Sequence, residues 1–378
     1  MARRYAPAFA FEYVEGGAED ELALARNRQA FDRWRFLPRT LVNTTGRHAR
    51  TTLFGVEQPL PLVIAPTGLN GILRRDGDLL LARAAAAAGI PFCLSTVSNA
   101  RPERVIEAAG GRVWMQLYML NHPALVDDVV SRADSAGCEA LVFTTDANVF
   151  GSREWDKRSF RAPGSLSLRR LLDAACHPRW AWDVAIPHGL PRFVNVMDFL
   201  PPEARSAKAG VSLIPALFRP SIDWDDVARL RDRWRRRLII KGILDPADVE
   251  RAVRLGCDGV VLTNHGGRQL DTTVAPIEVL AEIARAYRDR ITILVDSGFR
   301  RGSDVAKAMA LGAHGVMVGR ATLYGLAAGG EAGASHAIAI LASELDRVLG
   351  QLGCRSLAEL GSAMLREGPP TVAFPAES

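Results

Sequence analysis

A histidine and an arginine separated by two glycines form the segment of this chain best suited to acid–base chemistry. His265 and Arg268 follow the apolar run Gly259–Leu262, which predicts a buried strand. An imidazole that titrates near neutral pH, next to a planar cation, suits the removal of a proton beside a carboxylate. Gly266 and Gly267 allow a tight turn close to a flat ligand. The plain alternative is a loop in which the histidine caps a helix and the arginine is solvated.

Eight short apolar runs, each followed by a helical pattern, supply elements that could position these groups. This alternation predicts a single (β/α)8 barrel over the whole chain, residues 1–378. An open doubly wound sheet is the alternative, but it should carry a G-x-G-x-x-G after its first strand, and none stands there. The predicted strands are Leu60–Ala65, Phe92–Ser95, Val113–Leu117, Ala140–Thr145, Leu238–Lys241, Gly259–Thr263, Ile291–Asp296 and Gly315–Gly319. The predicted helices include Asp78–Ala88, Pro102–Ala109, Pro123–Ala136, Pro246–Leu255, Pro276–Tyr287 and Arg301–Leu311.

Polar residues and glycines stand at the carboxyl ends of all eight predicted strands. In an α/β barrel these ends meet at one face, and that face carries the active site. One pocket could therefore collect residues from the whole chain. Polar residues that merely end strands would explain one or two such cases, but eight in order are harder to dismiss.

The ends of the last two predicted strands are suited to binding a phosphate. Asp296–Arg300 follows one strand, with Ser297 and Gly298 inside it, and Gly319–Arg320 follows the next. Loops at these positions in barrels commonly bind phosphate through backbone N–H groups. Arg300 and Arg320 would add charge-assisted hydrogen bonds, although each could also be a solvated surface arginine.

A second group of strand-end residues could hold a flat, polar ring. Lys241 ends the fifth predicted strand, and a buried lysine is costly unless it is paired or faces developing negative charge. A ring that gains negative charge during a reaction would supply such a partner. Ordinary strand-end hydrogen bonding would explain any one of the neutral residues taken alone. Those residues are Thr67, Ser95, Gln116, Thr144 and Thr263.

The candidate reacting centre combines a base, a carboxylate and two cations. His265 would be the base, and Asp146 could orient the imidazole and stabilise its protonated form. Arg268 and Arg153 would bind a substrate carboxylate through two-pronged hydrogen bonds. Taken singly, Asp146 could be a helix cap and the aromatic donors could be core residues. The donors expected to bond the substrate carboxylate or hydroxyl oxygen are Tyr13 and Tyr118.

Composition narrows the class of protein. A chain of 378 residues with 48% hydrophobic residues is sufficient for a large core. The five cysteines form no C-x-x-C pair or zinc-type cluster, which predicts reduced thiols in the cytosol and no metal site. The net charge of +5 is modest and accompanies no nucleic-acid motif, so no nucleic-acid partner is expected. We also expect no signal peptide and no membrane-spanning segment, because no apolar run approaches roughly 20 residues.

The connection after the fourth predicted strand is unusually long, and its excess runs from about 153 to 219. It mixes basic residues such as Arg169 and Arg179 with large apolar ones such as Trp180 and Trp182. Loops of this length are usually functional or disordered. The composition favours contact with a membrane surface, and the alternatives are a lid over the active site or a contact between subunits.

The motifs quoted above resemble those of the FMN-dependent L-2-hydroxy acid dehydrogenase and oxidase family. The resemblance runs from about residue 9 to residue 360, and Tyr13 lies in a stretch, Phe11–Asp20, similar to the family's substrate-tyrosine motif. It implies FMN as cofactor, with His265 taking a proton while electrons reach flavin N5. Thr263 replaces the family's usual serine and keeps the hydroxyl. The positions that resemble functional ones are Pro66, Thr67, Gly68, Ser95, Gln116, Tyr118, Thr144, Asp146, Arg153, Lys241, His265, Arg268, Asp296, Ser297, Gly298, Arg300, Gly319 and Arg320.

Four strings are similar to those of membrane-associated (S)-mandelate dehydrogenases: Tyr13–Asp20, Pro66–Gly71, Cys176–Trp180 and Asp296–Gly302. This resemblance implies oxidation of (S)-mandelate or a related aromatic acid, a membrane quinone as acceptor, peripheral attachment to the inner face of the cell membrane, and a homotetramer. Gly68 stands where many oxidases of the family carry alanine, which implies poor reactivity with O2. The alternatives are an L-lactate dehydrogenase, an oxidase that uses O2 and, from a different class, an FMN-dependent isomerase. An isomerase would leave the group of His265, Arg268 and Arg153 without a purpose.

Overall fold

The chain folds into a closed barrel of eight parallel strands, as the sequence predicts. The computed structural model describes residues 1–154, 160–162, 165–186, 189–200, 205 and 217–368. Each strand pairs with its neighbours along the chain, and the last pairs with the first. The observed bounds differ from the predicted ones by no more than two residues at either end. The strands are β1 (Leu62–Ile64), β2 (Phe92–Leu94), β3 (Val113–Tyr118), β4 (Ala140–Thr144), β5 (Arg237–Ile243), β6 (Gly259–Leu262), β7 (Thr292–Val295) and β8 (Gly315–Val318).

Helices follow the strands and cover the outside of the barrel. Four of them begin with proline in the first turn, where its missing N–H is no loss and its fixed φ favours the helix. The six predicted helices are confirmed to within one residue at each end. The helices are α1 (Gly77–Ala87), α2 (Pro102–Ala109), α3 (Pro123–Ala136), α4 (Trp224–Arg233), α5 (Pro246–Arg254), α6 (Pro276–Tyr287), α7 (Gly302–Ala310) and α8 (Arg320–Leu352), the last interrupted at Gly329 and Gly330.

Side chains fill the interior of the barrel, so that it is a packed core. Because side chains alternate along a strand, every second residue points inward. A hairpin formed by Thr51–Leu53 and Val56–Gln58 adds Leu53 and Phe54 to this cluster, and the ring of Phe54 lies 5.7 Å from that of Trp114. The inward-facing residues, one from each strand in chain order, are Val63, Cys93, Trp114, Val142, Ile239, Val261, Leu294 and Met317.

The N-terminal segment packs against the loops at the carboxyl end of the barrel. The carboxylate of Asp271 accepts hydrogen bonds from the backbone N–H groups of Leu22 and Ala23, at the start of helix Leu22–Gln29. The side-chain amides of Asn27 and Asn264 exchange two hydrogen bonds, of 2.8 and 2.7 Å. These contacts bring the segment that contains Tyr13 to the predicted active-site face.

The connection from β4 to β5 packs partly on this N-terminal segment. Arg170, on helix Leu168–Ala175, donates to both carboxylate oxygens of Glu12 at 2.7 Å. The indole of Trp180 donates to the carbonyl of Ile72. Parts of the predicted insertion, at 155–159, 163–164, 187–188, 201–204 and 206–216, lie outside the described residues. Within the described part of the chain, no helix is long and apolar enough to cross a membrane.

Candidate active site at the carboxyl end of the barrel

His265 occupies a tight turn directly after β6. Its backbone φ is +59°, a left-handed conformation that is uncommon for a residue with a side chain, and Gly266 and Gly267 continue it at +69° and +74°. The hydroxyl of Thr263 accepts the backbone N–H of His265 at 2.9 Å, and the side chain of Asn264 accepts that of Gly267. Local hydrogen bonds therefore hold the histidine in a strained conformation, as is common at functional sites.

Asp146, His265 and Tyr118 form a continuous line of polar groups. The Nδ1 atom of His265 lies 2.9 Å from a carboxylate oxygen of Asp146, and its Nε2 atom lies 3.3 Å from the hydroxyl of Tyr118. The side chains of His265 and Asp146 are only 17% and 13% exposed. With an ionised carboxylate, Nδ1 carries the proton and Nε2 presents a lone pair, which is the tautomer a base requires.

The charges around this line favour a neutral imidazole and an ionised carboxylate. Burial lowers the pKa of His265, and the neighbouring cations Lys241 and Arg153 lower it further, against the opposing effect of Asp146. Burial alone would raise the pKa of Asp146, but the charges of His265 and Lys241 outweigh it, so that this pKa lies below its usual value. At neutral pH the site therefore holds an unprotonated base beside a negative charge.

Lys241 forms a buried ion pair with Asp296 on the other side of the barrel mouth. Its ammonium nitrogen lies 3.3 Å from a carboxylate oxygen of Asp296 and 3.4 Å from the hydroxyl of Thr263. Burial alone would lower the pKa of Lys241, but the carboxylates of Asp296 and Asp146 outweigh it and raise this pKa. The side chain of Ser297 extends the network, donating to Asp296 at 2.7 Å and accepting from the backbone of Gly266.

Neutral side chains from β2, β3 and β4 meet on the opposite wall. The side-chain oxygen of Gln116 accepts from Ser95 and from the backbone of Thr96, and its amide nitrogen donates to the hydroxyl of Thr144 at 3.0 Å. The hydroxyl of Thr67 donates to Asn70 at 2.9 Å. Of the predicted neutral residues, Ser95, Gln116 and Thr144 thus form one hydrogen-bonded group, whereas Thr67 bonds Asn70 and Thr263 lies beside Lys241.

Three arginines cluster where β6, β7 and β8 end. Arg320 donates to the carbonyls of Val14, Gly16 and Gly266 at 2.7 to 2.9 Å. Burial lowers the pKa of Arg320 to about 9, and the nearby cations Arg268 and Arg300 contribute to the same shift. This excess of buried positive charge suits an anion such as a phosphate.

Arg268 lies against the N-terminal segment, beside Tyr13. Its Nη1 atom donates to the carbonyls of Tyr13 and Gly16 at 2.8 and 2.6 Å, and its guanidinium lies 5.2 Å from the centre of the Tyr13 ring. The hydroxyl of Tyr13 donates to the carbonyl of Gly68 at 3.2 Å. Arg153 approaches from the β4 loop, with its guanidinium 4.2 Å from the centre of the Phe150 ring. The charges of Arg153 and Arg268 both lower the pKa of Tyr118, against the larger effect of burial, so both arginines lie in its vicinity.

Several residues that hold this site together were not predicted from the sequence. Gln269 and Asp271 lie in the motif with His265, but their side chains bind the β4 loop and the N-terminal helix rather than the pocket. Asn27 is buried against Asn264, which is 237 residues away. Phe218 packs on Tyr118 with ring centres 4.7 Å apart. Only the motif itself pointed to Gln269 and Asp271, and no local pattern indicated Asn27 or Phe218.

Fold and site together define an α/β-barrel enzyme with one composite, partly cationic site at the carboxyl ends of its strands. A sequence model of the FMN-dependent dehydrogenase family matches residues 2–367. The chain is 42% identical to (S)-mandelate dehydrogenase of Pseudomonas putida, covering 100% of this chain and 94% of that one. It is also 42% identical to an L-lactate dehydrogenase of Caulobacter sp. (strain K31), covering 96% of each chain.

Solved structures give the same result. The crystal structure of a monotopic membrane protein, (S)-mandelate dehydrogenase, superposes with a TM-score of 0.92 at 42% identity and covers 97% of both chains. A mandelate oxidase with benzoyl-formic acid superposes with a TM-score of 0.79 at 34% identity, covering 98% of this chain and 97% of that one. The chain belongs to the FMN-dependent dehydrogenase family. It is therefore an oxidoreductase with FMN as its cofactor.

The residues at the barrel mouth fit FMN. The arginine cluster supplies positive charge for a phosphate, and the buried Lys241 supplies a cation for the ring. The glycine at position 266 lets the guanidinium of Arg320 come close to the turn, because a Cβ there would lie 2.8 Å from Arg320 Nη1. The predicted cofactor is thus compatible with the donors and the positive charge that the described residues provide.

Proposed function

We propose that the enzyme oxidises an L-2-hydroxy acid to the 2-oxo acid, with His265 as the base. The observation that carries this proposal is the 2.9 Å contact between His265 and Asp146, because it leaves Nε2 unprotonated inside a partly buried, cationic pocket. The test is anaerobic absorbance of the oxidised protein during addition of 2-hydroxy acids. Bleaching of the flavin supports the proposal. Absence of bleaching with every acid would exclude it and favour an FMN-dependent isomerase.

The substrate would be held by its carboxylate. Arg268 and Arg153 would bind the two carboxylate oxygens, and Tyr13 and Tyr118 would donate hydrogen bonds to the carboxylate or the hydroxyl oxygen. The carbonyls of Tyr13 and Gly16 orient the guanidinium of Arg268, which supports this role. Replacing Arg268 by lysine should weaken substrate binding by about tenfold or more, because a point charge cannot form the two-pronged contact. Titration of flavin reduction against substrate concentration would measure this change.

His265 would take up the proton that leaves the substrate at its Nε2 atom. The imidazolium formed would be stabilised by Asp146 across the hydrogen bond at Nδ1. The same carboxylate prevents rotation of the ring, so Nε2 stays directed at the pocket. When bound, FMN supplies the acceptor for two electrons at N5.

The predicted cofactor residues would hold FMN in two groups. Lys241 would face the ring at N1 and stabilise the negative charge that reduction creates there. The buried pair with Asp296 supports a lysine that stays charged before and after reduction. The ring and its ribityl chain would contact Pro66, Thr67, Gly68, Ser95, Gln116, Thr144 and Thr263. The phosphate end would be bound by the segment of Asp296, Ser297, Gly298 and Arg300, together with Gly319 and Arg320.

The substrate that we propose is an aromatic 2-hydroxy acid, and (S)-mandelate is the first candidate. Mandelate and lactate dehydrogenases are equally similar to the chain, so the preference depends on the pocket. Phe218 packs on Tyr118, and Phe150 lies 5.7 Å from Phe218, so aromatic surface borders the reacting centre. The ratio of kcat/KM for (S)-mandelate and L-lactate is the measurement. A ratio in favour of lactate would keep the mechanism and change the substrate.

The electrons would pass to a membrane quinone, and the β4–β5 connection would attach the enzyme to the inner face of the cell membrane. Helix Leu168–Ala175 and the turn after it expose apolar side chains, including Leu171 at 53% and Trp182 at 72%. Arg4, Arg74 and Arg179 line the groove next to this surface, and basic residues beside exposed apolar ones suit an anionic bilayer. In this proposal residues 153–219 are the membrane-contact segment of a single barrel domain.

Sedimentation with anionic vesicles tests the membrane proposal. Replacing Leu171 by aspartate should release the enzyme, whereas Val56→Asp, at an exposed valine on the hairpin, should not. Vesicle binding that is unchanged in the first variant would favour the lid or subunit-contact interpretation.

Peroxide formation during turnover would indicate O2 as acceptor instead of a quinone. A homotetramer is proposed as the assembly, and sedimentation equilibrium would measure it.

A further inference from the structure

We propose that Gln269 and Gly151 form a clamp that sets the spacing between the two loops carrying the reactive groups. One loop carries His265 and Arg268, and the other carries Asp146 and Arg153. The inference rests on the function proposed above, since it assigns to Gln269 the positioning of residues that act in that reaction.

The first observation is the set of hydrogen bonds made by the Gln269 side chain. Its amide nitrogen donates to the carbonyls of Asp146 and Val149 at 2.7 and 2.9 Å. Its oxygen accepts the backbone N–H of Gly151 at 3.2 Å. One buried side chain, 6% exposed, thus binds three backbone groups spread over six residues of the neighbouring loop.

Only an amide can make this set of contacts at this length. Two carbonyls need a donor with two N–H bonds, and one N–H needs an acceptor on the same side chain. A glutamate would place a carboxylate oxygen against two carbonyl oxygens. A methionine of similar shape would leave all three backbone groups without their partner, and buried backbone groups rarely tolerate this.

The second observation is the close approach of Gly151 to the motif. A Cβ at Gly151 would lie 2.5 Å from the carbonyl oxygen of Arg268 and 2.9 Å from the Cα of Gln269. These are backbone atoms, so an added methyl group could not be accommodated by turning a side chain. Gly151 does not have a positive φ, so alanine could adopt the same backbone conformation there and would perturb only the spacing.

The geometry explains why this spacing matters for catalysis. The partners of each functional pair come from different loops: Asp146 orients His265, and Arg153 and Arg268 both lie near Tyr118. The clamp lies next to the pair of arginines, two residues before Arg153 on one loop and one residue after Arg268 on the other. A displacement of about 1 Å at reacting groups can lower a rate by roughly 100-fold.

The test compares Gln269→Met and Gly151→Ala with the control Gly361→Ala, whose added Cβ would meet open space at a φ of −155°. Stopped-flow reduction of the holoenzyme gives substrate affinity and limiting rate separately. We expect both clamp variants to bind substrate about tenfold more weakly and to reduce the flavin roughly 10- to 100-fold more slowly. FMN content should stay near that of the wild type, while the melting temperature should fall in both clamp variants because buried backbone contacts are lost or displaced.

A second measurement does not depend on turnover. Hydrogen exchange of the Gly151 amide should accelerate in Gln269→Met, while the amides of β4 keep their protection. Wild-type affinity, rate and exchange in both variants would overturn the proposal. So would a loss of FMN that fully accounts for the loss of rate, which would mean a purely structural role. Failure of the proposed function is distinguishable, because then the wild-type flavin itself would not be bleached by any 2-hydroxy acid.

Discussion

Two buried pairs of a basic residue and a carboxylate lie at the mouth of the barrel, and they differ in charge. Lys241 beside Asp296 has a raised pKa and stays protonated, whereas His265 beside Asp146 has a lowered pKa and stays neutral. Both pairs are hydrogen-bonded at about the same depth, so burial alone does not separate them. The ordinary pKa values, 10.5 for lysine and 6.5 for histidine, already separate the two groups, and the surrounding charges shift them further apart.

Lys241 is attracted by two carboxylates, while His265 is attracted by one and repelled by two cations, Lys241 and Arg153. The carboxylates thus keep Lys241 protonated, and the positive charge of Lys241 in turn favours the neutral form of His265, which can act as a base. Asp146 acts on both residues: its charge helps to raise the pKa of Lys241, and its hydrogen bond orients His265 as the proton acceptor. The following predictions test this division, beginning with the largest expected effect.

His265→Ala should lower the rate of flavin reduction by roughly 100- to 10,000-fold, because the base is removed while the carboxylate and both arginines remain. FMN should stay bound, since the cofactor residues are unchanged. Anaerobic stopped-flow absorbance measures the rate. The matched control is His336→Ala, at an exposed histidine of α8. Unimpaired reduction in the first variant would remove His265 from the mechanism.

Lys241→Met should destabilise the protein by about 3–5 kcal/mol, because Asp296 is then a buried charge without its cation. Urea unfolding monitored by tryptophan fluorescence gives the free energy of unfolding. The double variant Lys241→Met, Asp296→Asn should recover much of this loss. If it is as unstable as the single variant, the uncompensated charge is not the cause.

Asp78 is a third buried carboxylate, and its hydrogen bonds come from neutral groups, the side chain of Asn70 and the backbone of Asn99. Burial raises the pKa of Asp78 from 3.8 to about 6. Because the folded-state pKa is the higher one, Asp78 contributes stability below about pH 4, and this contribution is lost as the pH rises through 6.

Relative to Asp78→Asn, the wild type should therefore become more stable by up to about 3 kcal/mol as the pH falls from 8 to 4. Urea unfolding of both proteins at each pH measures the difference, in which the other titrating groups cancel. A difference that is constant with pH would mean that Asp78 titrates near its ordinary value in the folded state.

The smallest effect concerns the pH dependence of the wild type. Because the pKa of His265 is lowered from 6.5, the rate of flavin reduction should stay constant at neutral pH and fall only below pH 6.5. Asp146→Asn removes the group that raises this pKa, so the falling limb should move to still lower pH, in addition to a lower rate. If the falling limb moves to higher pH instead, Asp146 lowers the pKa of His265 rather than raising it.

The sequence predicted the barrel, its eight strands and most of its helices, because these depend on local periodicity and on proline and glycine at helix ends. It also predicted which residues share a site, since the carboxyl ends of parallel strands must meet. Thr144 and Lys241 illustrate this: Thr144 ends β4 and lies in register with Lys241, two residues before the end of β5.

What the tertiary structure decided is how those residues are oriented and charged. The carbonyls that hold Arg268, the amide of Asn27 against Asn264 and the contacts of Gln269 join parts of the chain more than 100 residues apart. No local pattern encodes such contacts. The protonation of His265 is decided in the same way, because it depends on the sum of charges that folding brings together from β4, β5 and β6.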